Sequence, residues 1–563
     1  MTGDVLWILV PLAPLLMAVG VVEIGDRAIR WWWLSALPGL VAGLVAPAPW
    51  LADVLWPGTQ WGDSGILVRS LLLFTTTVWL LAGLYAMHSL ADDPQRRRFW
   101  LFWLFSFSGN LLLIIAGDAL SFYVGFSVMS LAAYGLIVHR AGPGPRKAGR
   151  LYLQIAVTGE LLLFTGFMMA SHQAGGSMAL EVWQTAPISP MALLLMFVGL
   201  GMKAGFWPLH VWLPQAHPVA PAPASAVLSG AMIKAGILGM WKLLPAESGT
   251  LNDVSLILMI VGLISAFYGV ILGLGRRNVK EVLAFSSVSQ MGYLLLITGL
   301  LWHSPALAPA LTILLCLYMV HHGFCKAALF LAAELFKSGR LPMRNGHNLL
   351  LGIAALPAIA LAGLPLSSGA ATKSRLKEQL EAASLDSLVW ILQIGAIATA
   401  LLLLRALHLL RALQGDATQQ RIATLPLLSW LTLALMPLLL PWFWPLMRDA
   451  TVDSLPLYKL AELSWPLAAA LLITTVVMTR GRLKLPEIAN RPTPFVWLSL
   501  RLKRVLQRPP VPVPEPEISE QIWRNRERRW NRFWHDNTVR NSSWLLLGFL
   551  VVAAIFFSVA ETL

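Results

Sequence analysis

Two lysines stand in the middle of a long apolar stretch of this sequence. Lys203 and Lys234 both lie between Phe197 and Leu244, and neither has an acidic neighbour along the chain. An uncompensated charge inside hydrocarbon costs at least about 2.5–3.5 kcal/mol. The structural alternative, a lysine that reaches up to the membrane surface, fits poorly because both positions are central. The pattern therefore predicts that these ammonium groups carry protons or other small ions across a membrane.

A second group of titratable side chains lies in the run Tyr318 to Lys326. His322 and Lys326 are four residues apart, so a helix places them on one face, and His321 is adjacent. Histidine titrates near neutral pH and can pass a proton on. The alternative is a core histidine held by hydrogen bonds. With Lys326 and His321 beside it, we interpret His322 as a member of a relay.

Proline and glycine interrupt two of the helices that carry these residues. Pro208 and Pro214 follow Lys203, and each removes a backbone donor. The segment Leu349 to Lys373 ends in GLPLSSGAATK, where glycine and proline again break the helix. Broken helices are tolerated at membrane depth only inside protein or along a wet cavity. Two of them in comparable places, each with a lysine near the break, indicate an internally repeated transporter.

The composition as a whole is that of a multi-pass membrane protein. The chain has 563 residues, of which 57% are hydrophobic and 12% charged, with a mean hydropathy of +0.68. Soluble domains carry about 25% charged residues, so a soluble globular fold is excluded. With ~20 residues per crossing, the apolar runs predict about 16 transmembrane helices in one all-α bundle. Their approximate centres are Leu12, Leu40, Thr77, Phe107, Met129, Leu161, Gly199, Gly230, Gly262, Leu295, Met319, Ala358, Thr399, Leu435, Leu471 and Leu550.

The charges of the connecting loops predict an orientation. Basic clusters such as Arg96–Arg98 and Arg276–Lys280 follow odd-numbered spans, whereas the intervening loops carry acids such as Asp53 and Asp449. The positive-inside rule places the odd-numbered loops in the cytoplasm and both termini outside it. We therefore expect a multi-pass protein of the bacterial inner (plasma) membrane.

A stretch of different composition precedes the last predicted span. Arg480 to Arg540 carries 14 Lys and Arg against 6 Asp and Glu. Its proline-rich middle, Pro509 to Pro516, should be extended. We interpret Glu517 to Asn541 as an amphipathic helix at the cytoplasmic surface, and the alternative is a solvated linker that contacts anionic lipid headgroups. Nucleic acid is not an expected partner, because the basic residues follow the membrane topology.

No motif for a cofactor or a metal is present in the sequence. Cys316 and Cys325 share one apolar segment without the CxxC or CxxH spacing of a metal or cluster site, so we expect them to be packing residues. Walker A, GxGxxG-to-strand and HExxH patterns are also absent from the sequence. We therefore expect no cofactor, no metal and no redox or nucleotide site in this chain, so that a partner must supply the free energy for transport.

The residues around the first lysines also resemble a known family. The run KAGFWPLHVWLPQAHPVAPAPASAVLSGAMIKAG is similar to the most characteristic motif of the antiporter-like membrane subunits of respiratory complex I, shared with multi-subunit sodium/proton antiporters and membrane-bound hydrogenases. NVKEVLAFSSVSQMGY, HHGFCKAALFLAAELF and GLPLSSGAATK follow in the family's order, so that the resemblance covers roughly Gly109 to Lys373. The span count and the surface helix resemble those of the large distal subunit type.

The resemblance implies roles for particular residues. Lys203, Lys234, the His322–Lys326 pair and Lys373 match the family's polar axis along the membrane midplane. The axis links two half-channels from inverted five-helix repeats, here spans four to eight and nine to thirteen. The domains expected are the N-terminal helices (1–97), first repeat (98–245), second repeat (250–415), spans 14–15 (420–480), basic linker with the surface helix (481–541) and last span (542–563).

One position departs from the family pattern. The resemblance implies a glutamate in span five as the partner of Lys203, but Ser127 stands at that place. The nearest intramembrane acid is Glu160 in span six. Either Glu160 takes over the partner role, which we favour, or the first half-channel does not pump.

These observations predict a proton- or sodium-translocating subunit that switches protonation along Glu160, Lys203, Lys234, His322, Lys326 and Lys373. Its expected partners are other membrane subunits, membrane lipid and a soluble catalytic subunit, as in an NADH:quinone oxidoreductase-like or hydrogenase complex. Two alternatives keep the fold. One is a membrane subunit that anchors and energises a soluble enzyme, as in inorganic-carbon uptake complexes. The other is an antiporter, either as a subunit of a multi-subunit cation/proton antiporter or on its own.

Overall fold

The computed structural model describes residues 2–51, 56, 58–63, 65–244, 252–340, 345–413 and 420–480. Within this part of the chain the fold is all-α, and its strands are two-residue pairs in the connections. The predicted linker 481–541 with its surface helix Glu517 to Asn541, and the predicted last span 542–563, lie outside the described residues. The helices of the described residues confirm the predicted all-α multi-pass fold class.

The helices are α1 (Thr2–Ile24), α2 (Asp26–Ile29), α3 (Leu37–Val45), α4 (Ile66–Ser89), α5 (Arg96–Ile115), α6 (Ala119–Ile137), α7 (Pro143–Gln173), α8 (Leu180–Thr185), α9 (Pro190–Ala204), α10 (Leu213–Val219), α11 (Ala222–Val227), α12 (Lys234–Leu243), α13 (Asn252–Leu274), α14 (Val279–His303), α15 (Ala308–Ser338), α16 (Gly346–Ala362), α17 (Ser368–Ala382), α18 (Asp386–Ala412), α19 (Thr424–Phe443), α20 (Pro445–Val452) and α21 (Leu457–Arg480). The strands are β1 (Trp50–Leu51), β2 (Gln60–Trp61), β3 (Gly339–Arg340) and β4 (Gln420–Arg421).

Fifteen apolar helical segments account for the spans predicted in the described residues. Twelve are long and apolar enough to cross a membrane, and Trp32–Val45, Pro190–Ala204 and Gly346–Ala362 are shorter. Each of the first fifteen predicted centres lies in one of these segments. The sixteenth centre, Leu550, lies outside the described residues.

Two groups of helices follow the same order along the chain. In the first, α5, α6 and the 31-residue α7 precede α9, which ends at Gly205 in a left-handed conformation (φ 67°). In the second, α13, α14 and the 31-residue α15 precede α16, which ends at Gly363 with φ 106°. Glycine is favoured at both ends because side chains on other residues clash in this region. Because each group contributes five crossings, an odd number, the second runs in the opposite direction through the bundle.

Polar contacts join the connections that follow odd-numbered spans, which we call the odd-loop face. They are Arg97 to Asp26 (3.1 Å), Arg98 to the His139 carbonyl (2.9 Å), Arg140 to Glu334 (3.3 Å) and Lys280 to Glu334 (4.0 Å). Strands β3 and β4 pair in parallel and join two further odd connections. The predicted alternation of loops is therefore present on this side of the bundle.

The even-numbered connections meet on the opposite side, the even-loop face. Here Asp118 accepts hydrogen bonds from Trp56 Nε1 (3.1 Å) and the Gln60 amide (3.1 Å) and caps α6 through the Ser121 amide (2.7 Å). Arg375 pairs with Asp453 on the same face. The contacts thus separate odd from even connections, while the assignment of the odd-loop face to the cytoplasm stays a prediction from charge.

Glycine pairs let neighbouring helices approach closely in the bundle. A β-carbon added at Gly262 of α13 would lie 2.6 Å from the Gly292 carbonyl oxygen and 2.8 Å from the Leu296 amide of α14. Backbone atoms cannot yield as a flexible side chain does, so the helices would have to separate. Close approach through small residues is a general device of membrane helix packing.

We expect Gly262→Ala to lower the free energy of unfolding by about 1–3 kcal/mol, because the added methyl group forces α13 away from α14. Gly352→Ala is the matched control, since nothing lies within 4 Å of its β-carbon position on α16. Thermal denaturation of the detergent-solubilised protein compares the two. Equal melting temperatures would contradict the close packing of α13 and α14.

Candidate functional site

Lys203 lies in the last turn of α9, just before the helix ends at Gly205. Its side chain is buried, and Nζ donates a hydrogen bond to the Tyr152 hydroxyl at 3.3 Å. The ammonium group also lies 5.7 Å from the centre of the Tyr152 ring and 5.9 Å from that of Phe126. Aromatic faces attract a cation, so Lys203 is held largely by aromatic side chains.

Glu160 is the acidic group that acts electrostatically on Lys203. It is buried on α7, which crosses α9 closely where Gly159 meets Gly199. Its carboxyl group also lies near the Ser127 and Ser130 hydroxyls. Within the described residues it forms no direct ion pair with Lys203, and its Oε1 has no hydrogen-bond partner there. The structure thus places Glu160 near Lys203, but the two side chains do not form a salt bridge.

Lys234 is the first residue of α12 and follows a π-helical turn, Leu228–Met232. Its Nζ donates to the Ser229 carbonyl at 2.5 Å, and the side chain is buried. The Ser229 hydroxyl is 2.7 Å from that of Ser287 on α14. Wide π turns leave a carbonyl free of the regular helical pattern, and they are frequent at functional sites.

His322 and Lys326 lie one turn apart on α15, as predicted, and both are fully buried. Lys326 Nζ donates to the Leu283 carbonyl (2.5 Å) and to the Ser286 hydroxyl (2.8 Å) of α14. The two ring nitrogens of His322 have no hydrogen-bond partner among the described residues. Lys234 and Lys326 are the lysines that interact electrostatically with this imidazole.

Lys373 lies on α17, at the second helix break. It is half-buried, and its Nζ donates to the carbonyl of Ala362, the last residue of α16, at 2.5 Å. It also lines a cavity of about 150 Å³ between α17, α18 and α21. Charged side chains line the same cavity: Lys377, Glu378, Glu381, Lys459 and Glu462. The cavity lies near the even-loop face, where Lys377 pairs with Glu462.

Five of the six predicted residues fall into two groups in space, and the sixth, Lys373, lies at the second helix break. Glu160 and Lys203 form one pair, and Lys234, His322 and Lys326 interact with one another as a second group. His321 connects the second group to the helix break, since its ring is influenced by Lys234 and Lys373 and its Nδ1 is 2.7 Å from the Ser368 hydroxyl. Helices α9 and α12, which carry the first two lysines, pack against each other at Gly236.

Sequence reasoning missed the polar residues that hold the lysines. Tyr152 contacts Lys203, and Ser286 contacts Lys326. Tyr318 donates to Gln290 Oε1 at 2.8 Å, next to the Lys373 cavity that Tyr318 also lines. Tyr152 had a usable signal, because it lies eight residues before Glu160 and so on the same face of α7. The others lie in motifs whose polar positions are indistinguishable by spacing alone.

A family model and individual relatives were found for this sequence, and their descriptions agree with one another. A family model described as NADH:quinone oxidoreductase/Mrp antiporter, TM, matches residues 116–401, about half of the chain. Hydrogenase-4 component B of Escherichia coli (strain K12) is 36% identical over 233 residues, covering 39% of this chain and 34% of that protein. NADH-ubiquinone oxidoreductase chain 5 of Cryptococcus neoformans var. grubii is 31% identical over 366 residues, covering 61% and 53%. The chain thus matches about a third to a half of the length of these relatives.

A solved structure shares the fold. The Mrp complex from Dietzia sp. DQ12-45-1b superposes with a TM-score of 0.73 at 20% sequence identity, and the match covers 100% of this chain and 63% of the chain in that complex. At this identity the likeness concerns the fold alone.

A further buried lysine, Lys242, lies apart from both groups. Its Nζ donates to the carbonyls of Ile114 (2.6 Å) and Ala116 (2.8 Å), at the end of α5. Carbonyls at a helix end lack intrahelical partners and carry partial negative charge, so a lysine there is a C-terminal cap. Lys242 therefore has a structural explanation as a cap of α5.

We expect Lys242→Met to lower the free energy of unfolding by about 1–3 kcal/mol, because it leaves two buried carbonyls without a donor. Ion translocation per assembled protein should stay at the wild-type rate. Thermal denaturation and a vesicle transport assay, normalised to the amount of protein, check both statements. A stable variant that fails to transport would place Lys242 in the ion path instead.

Proposed function

This chain belongs to the NADH:quinone oxidoreductase/Mrp antiporter family of membrane proteins, and we propose that it is an ion-translocating subunit of a multi-subunit membrane complex. The ion, a proton or sodium, moves along six residues that we call the row: Glu160, Lys203, Lys234, His322, Lys326 and Lys373. The family membership supports the class of function, and the contacts of the lysines support the residues.

The observation that carries the proposal is the way three lysines are held. Lys234, Lys326 and Lys373 each donate to a backbone carbonyl, at 2.5 Å in every case, and no carboxylate pairs with any of them within the described residues. A carbonyl oxygen accepts a hydrogen bond from a charged ammonium and from a neutral amine alike. The side chain therefore keeps its place when its proton leaves. A carboxylate counter-ion would instead favour the charged form and hold the proton.

Glu160 supports the proposal at the other end of the chain of residues. It is the acid that acts on Lys203, and Ser127 stands where the family's glutamate would be. An open arrangement, with the carboxyl group near but not paired to the ammonium, leaves both groups free to exchange protons. We therefore assign Glu160 the partner role in this chain.

The cavity beside Lys373 supplies a route to the even-loop face. Its charged lining attracts water, and a cavity of about 150 Å³ has room for several molecules. An ion that reaches Lys373 would leave or enter here. With the odd-loop face in the cytoplasm, as the loop charges predict, this opening lies on the outer side of a bacterial inner membrane.

Coupling to partners follows from the same proposal. Hydrogenase-4 component B and NADH-ubiquinone oxidoreductase chain 5 are by their names parts of larger assemblies. We propose that this chain likewise assembles with other membrane subunits and with a soluble catalytic subunit that supplies free energy. Co-purification in mild detergent would identify them. A soluble enzyme recovered with a chain that moves no ions would favour the membrane-anchor alternative.

We expect Lys203→Ala and Lys373→Ala each to abolish ion-gradient formation in membrane vesicles, because each removes a titratable member of the row. The variants should still insert and assemble. Lys147→Ala, at an exposed position on the odd-loop face, is the matched control and should transport normally. Unchanged transport in an assembled Lys203/Lys373 double variant would refute the row.

We expect Glu160→Gln to reproduce the Lys203→Ala loss, because the amide keeps the shape but can no longer carry a proton or a charge. Glu181→Gln, exposed on α8, is the control. The measurement is the initial rate of gradient formation per assembled complex. A Glu160→Gln variant with the wild-type rate would remove Glu160 from the path while leaving the lysines in it.

A further inference from the structure

His217 is a buried histidine that the proposed row does not use. It lies on α10, the short helix after the first break, and is fully buried. The two nitrogens of its ring have no hydrogen-bond partner among the described residues. Its carbonyl accepts from Ser225, so the backbone is fixed while the ring is not. A buried, unpartnered imidazole is costly and calls for an explanation.

The ring of His217 lies beside the proposed row. It stacks on Phe330 with 4.4 Å between ring centres and 21° between planes. Lys326 Nζ lies 5.6 Å from the centre of the same Phe330 ring. The imidazole and a lysine of the row thus lie beside the same aromatic ring. The cations that act on His217 are Lys326 and Lys280.

A line of titratable groups continues from His217 to the odd-loop face. Lys280 donates to the carbonyl of Ala220, at the end of α10, at 2.9 Å. Its Nζ lies 4.0 Å from Glu334, which pairs with Arg140 at 3.3 Å. Side-chain exposure rises along the line, from 0% at His217 to 9% at Lys280, 18% at Glu334 and 45% at Arg140.

The line is built on one face of α15. Lys326, Phe330 and Glu334 are spaced four residues apart, so they lie above one another on the helix. At 1.5 Å per residue, the eight-residue separation of Lys326 and Glu334 corresponds to about 12 Å along the axis. His217 stacks on Phe330, the middle residue of the three. Its ring therefore lies between the level of Lys326 and the level of Glu334 along α15.

We propose that His217 is a proton relay between Lys326 and the Lys280–Glu334 pair at the odd-loop face. The inference rests on the proposed function, because it adds a branch to the same row. It also specifies the ion of this branch. An imidazole accepts and donates protons, whereas a sodium ion requires oxygen ligands that this ring does not offer.

The transfer balances without any co-reactant. A hydronium ion at the Lys280–Glu334 pair gives a proton to one ring nitrogen of neutral His217, which becomes an imidazolium, and the hydronium ion becomes water. The imidazolium releases the proton from its other nitrogen toward neutral Lys326, which becomes an ammonium. Rotation of the ring restores the starting state. Because no direct hydrogen bond joins the two groups in the described residues, water beside the Phe330 ring has to connect them, and the gradient sets the direction.

The test compares His217→Gln with His210→Gln in membrane vesicles that contain the whole complex. Glutamine fills similar space but does not titrate. His210 is the matched control, because it is also buried with two unpartnered ring nitrogens, yet its ring packs on Tyr268, with 4.9 Å between ring centres, and not on Phe330. The initial rate of proton uptake, read with a pH-sensitive dye, should fall about tenfold or more in His217→Gln and stay near wild type in His210→Gln.

Lys326→Ala is measured in parallel to separate the two proposals. An active His217→Gln beside an inactive Lys326→Ala would overturn the relay and leave the proposed function intact. An active Lys326→Ala would overturn both. An equal loss in His217→Gln and His210→Gln would also overturn the relay, since the effect would then be general. If His217→Gln does not assemble, Lys280→Met is measured in its place. Its proton uptake should likewise fall about tenfold or more, and an active Lys280→Met beside an inactive Lys326→Ala would overturn the relay.

Discussion

A positive charge inside a hydrophobic bundle has to be solvated by the protein, and in this chain backbone carbonyls do most of that work. Inside a regular α-helix each carbonyl already accepts a bond within the helix, so irregular turns and helix ends offer the more available acceptors. Three of the four lysines of the row lie at irregularities: Lys203 precedes the end of α9, Lys234 follows a π turn, and Lys373 caps the end of α16. The irregular turns therefore supply the carbonyl ligands of Lys234 and Lys373. Lys203 is held instead by Tyr152, and Lys326 by the Leu283 carbonyl and the Ser286 hydroxyl of the unbroken helix α14.

The bundle places this arrangement at its centre. Helices α14 and α15 carry the partners of the central lysines, and α14 is buried along almost its whole length. Ion pairs join odd connections to one another on one face and even connections to one another on the opposite face. The ends of the helices are therefore fixed relative to one another. Two polar features lead from the centre toward these faces, the Lys373 cavity on one side and the Lys280–Glu334 pair on the other. The proposed directional ion transfer requires such separate connections from the row to two faces.

Sequence reasoning predicted the spans, the two helix breaks and the burial of the lysines, because apolar runs, proline and glycine have strong local signals. It also proposed Glu160 as the partner of Lys203; the structure places the two groups near each other without an ion pair, and the partner role stays a prediction. It did not predict Tyr152 or Ser286 as partners, since these contacts depend on how helices are rotated against each other. It named the motif that contains His217 without a role for that residue, because only the tertiary packing brings Phe330 and Lys326 to its ring. The domain boundaries and the orientation of the termini stay predictions.

The most direct measurement is a cryo-electron microscopy map of the assembled complex in lipid, at a resolution that shows ordered water. The expected result is a chain of water molecules at hydrogen-bonding distances that joins Lys203, Lys234, Lys326 and Lys373 halfway through the bilayer. Dry packing between these side chains, or ammonium groups turned outward to lipid headgroups, would contradict ion conduction along the row.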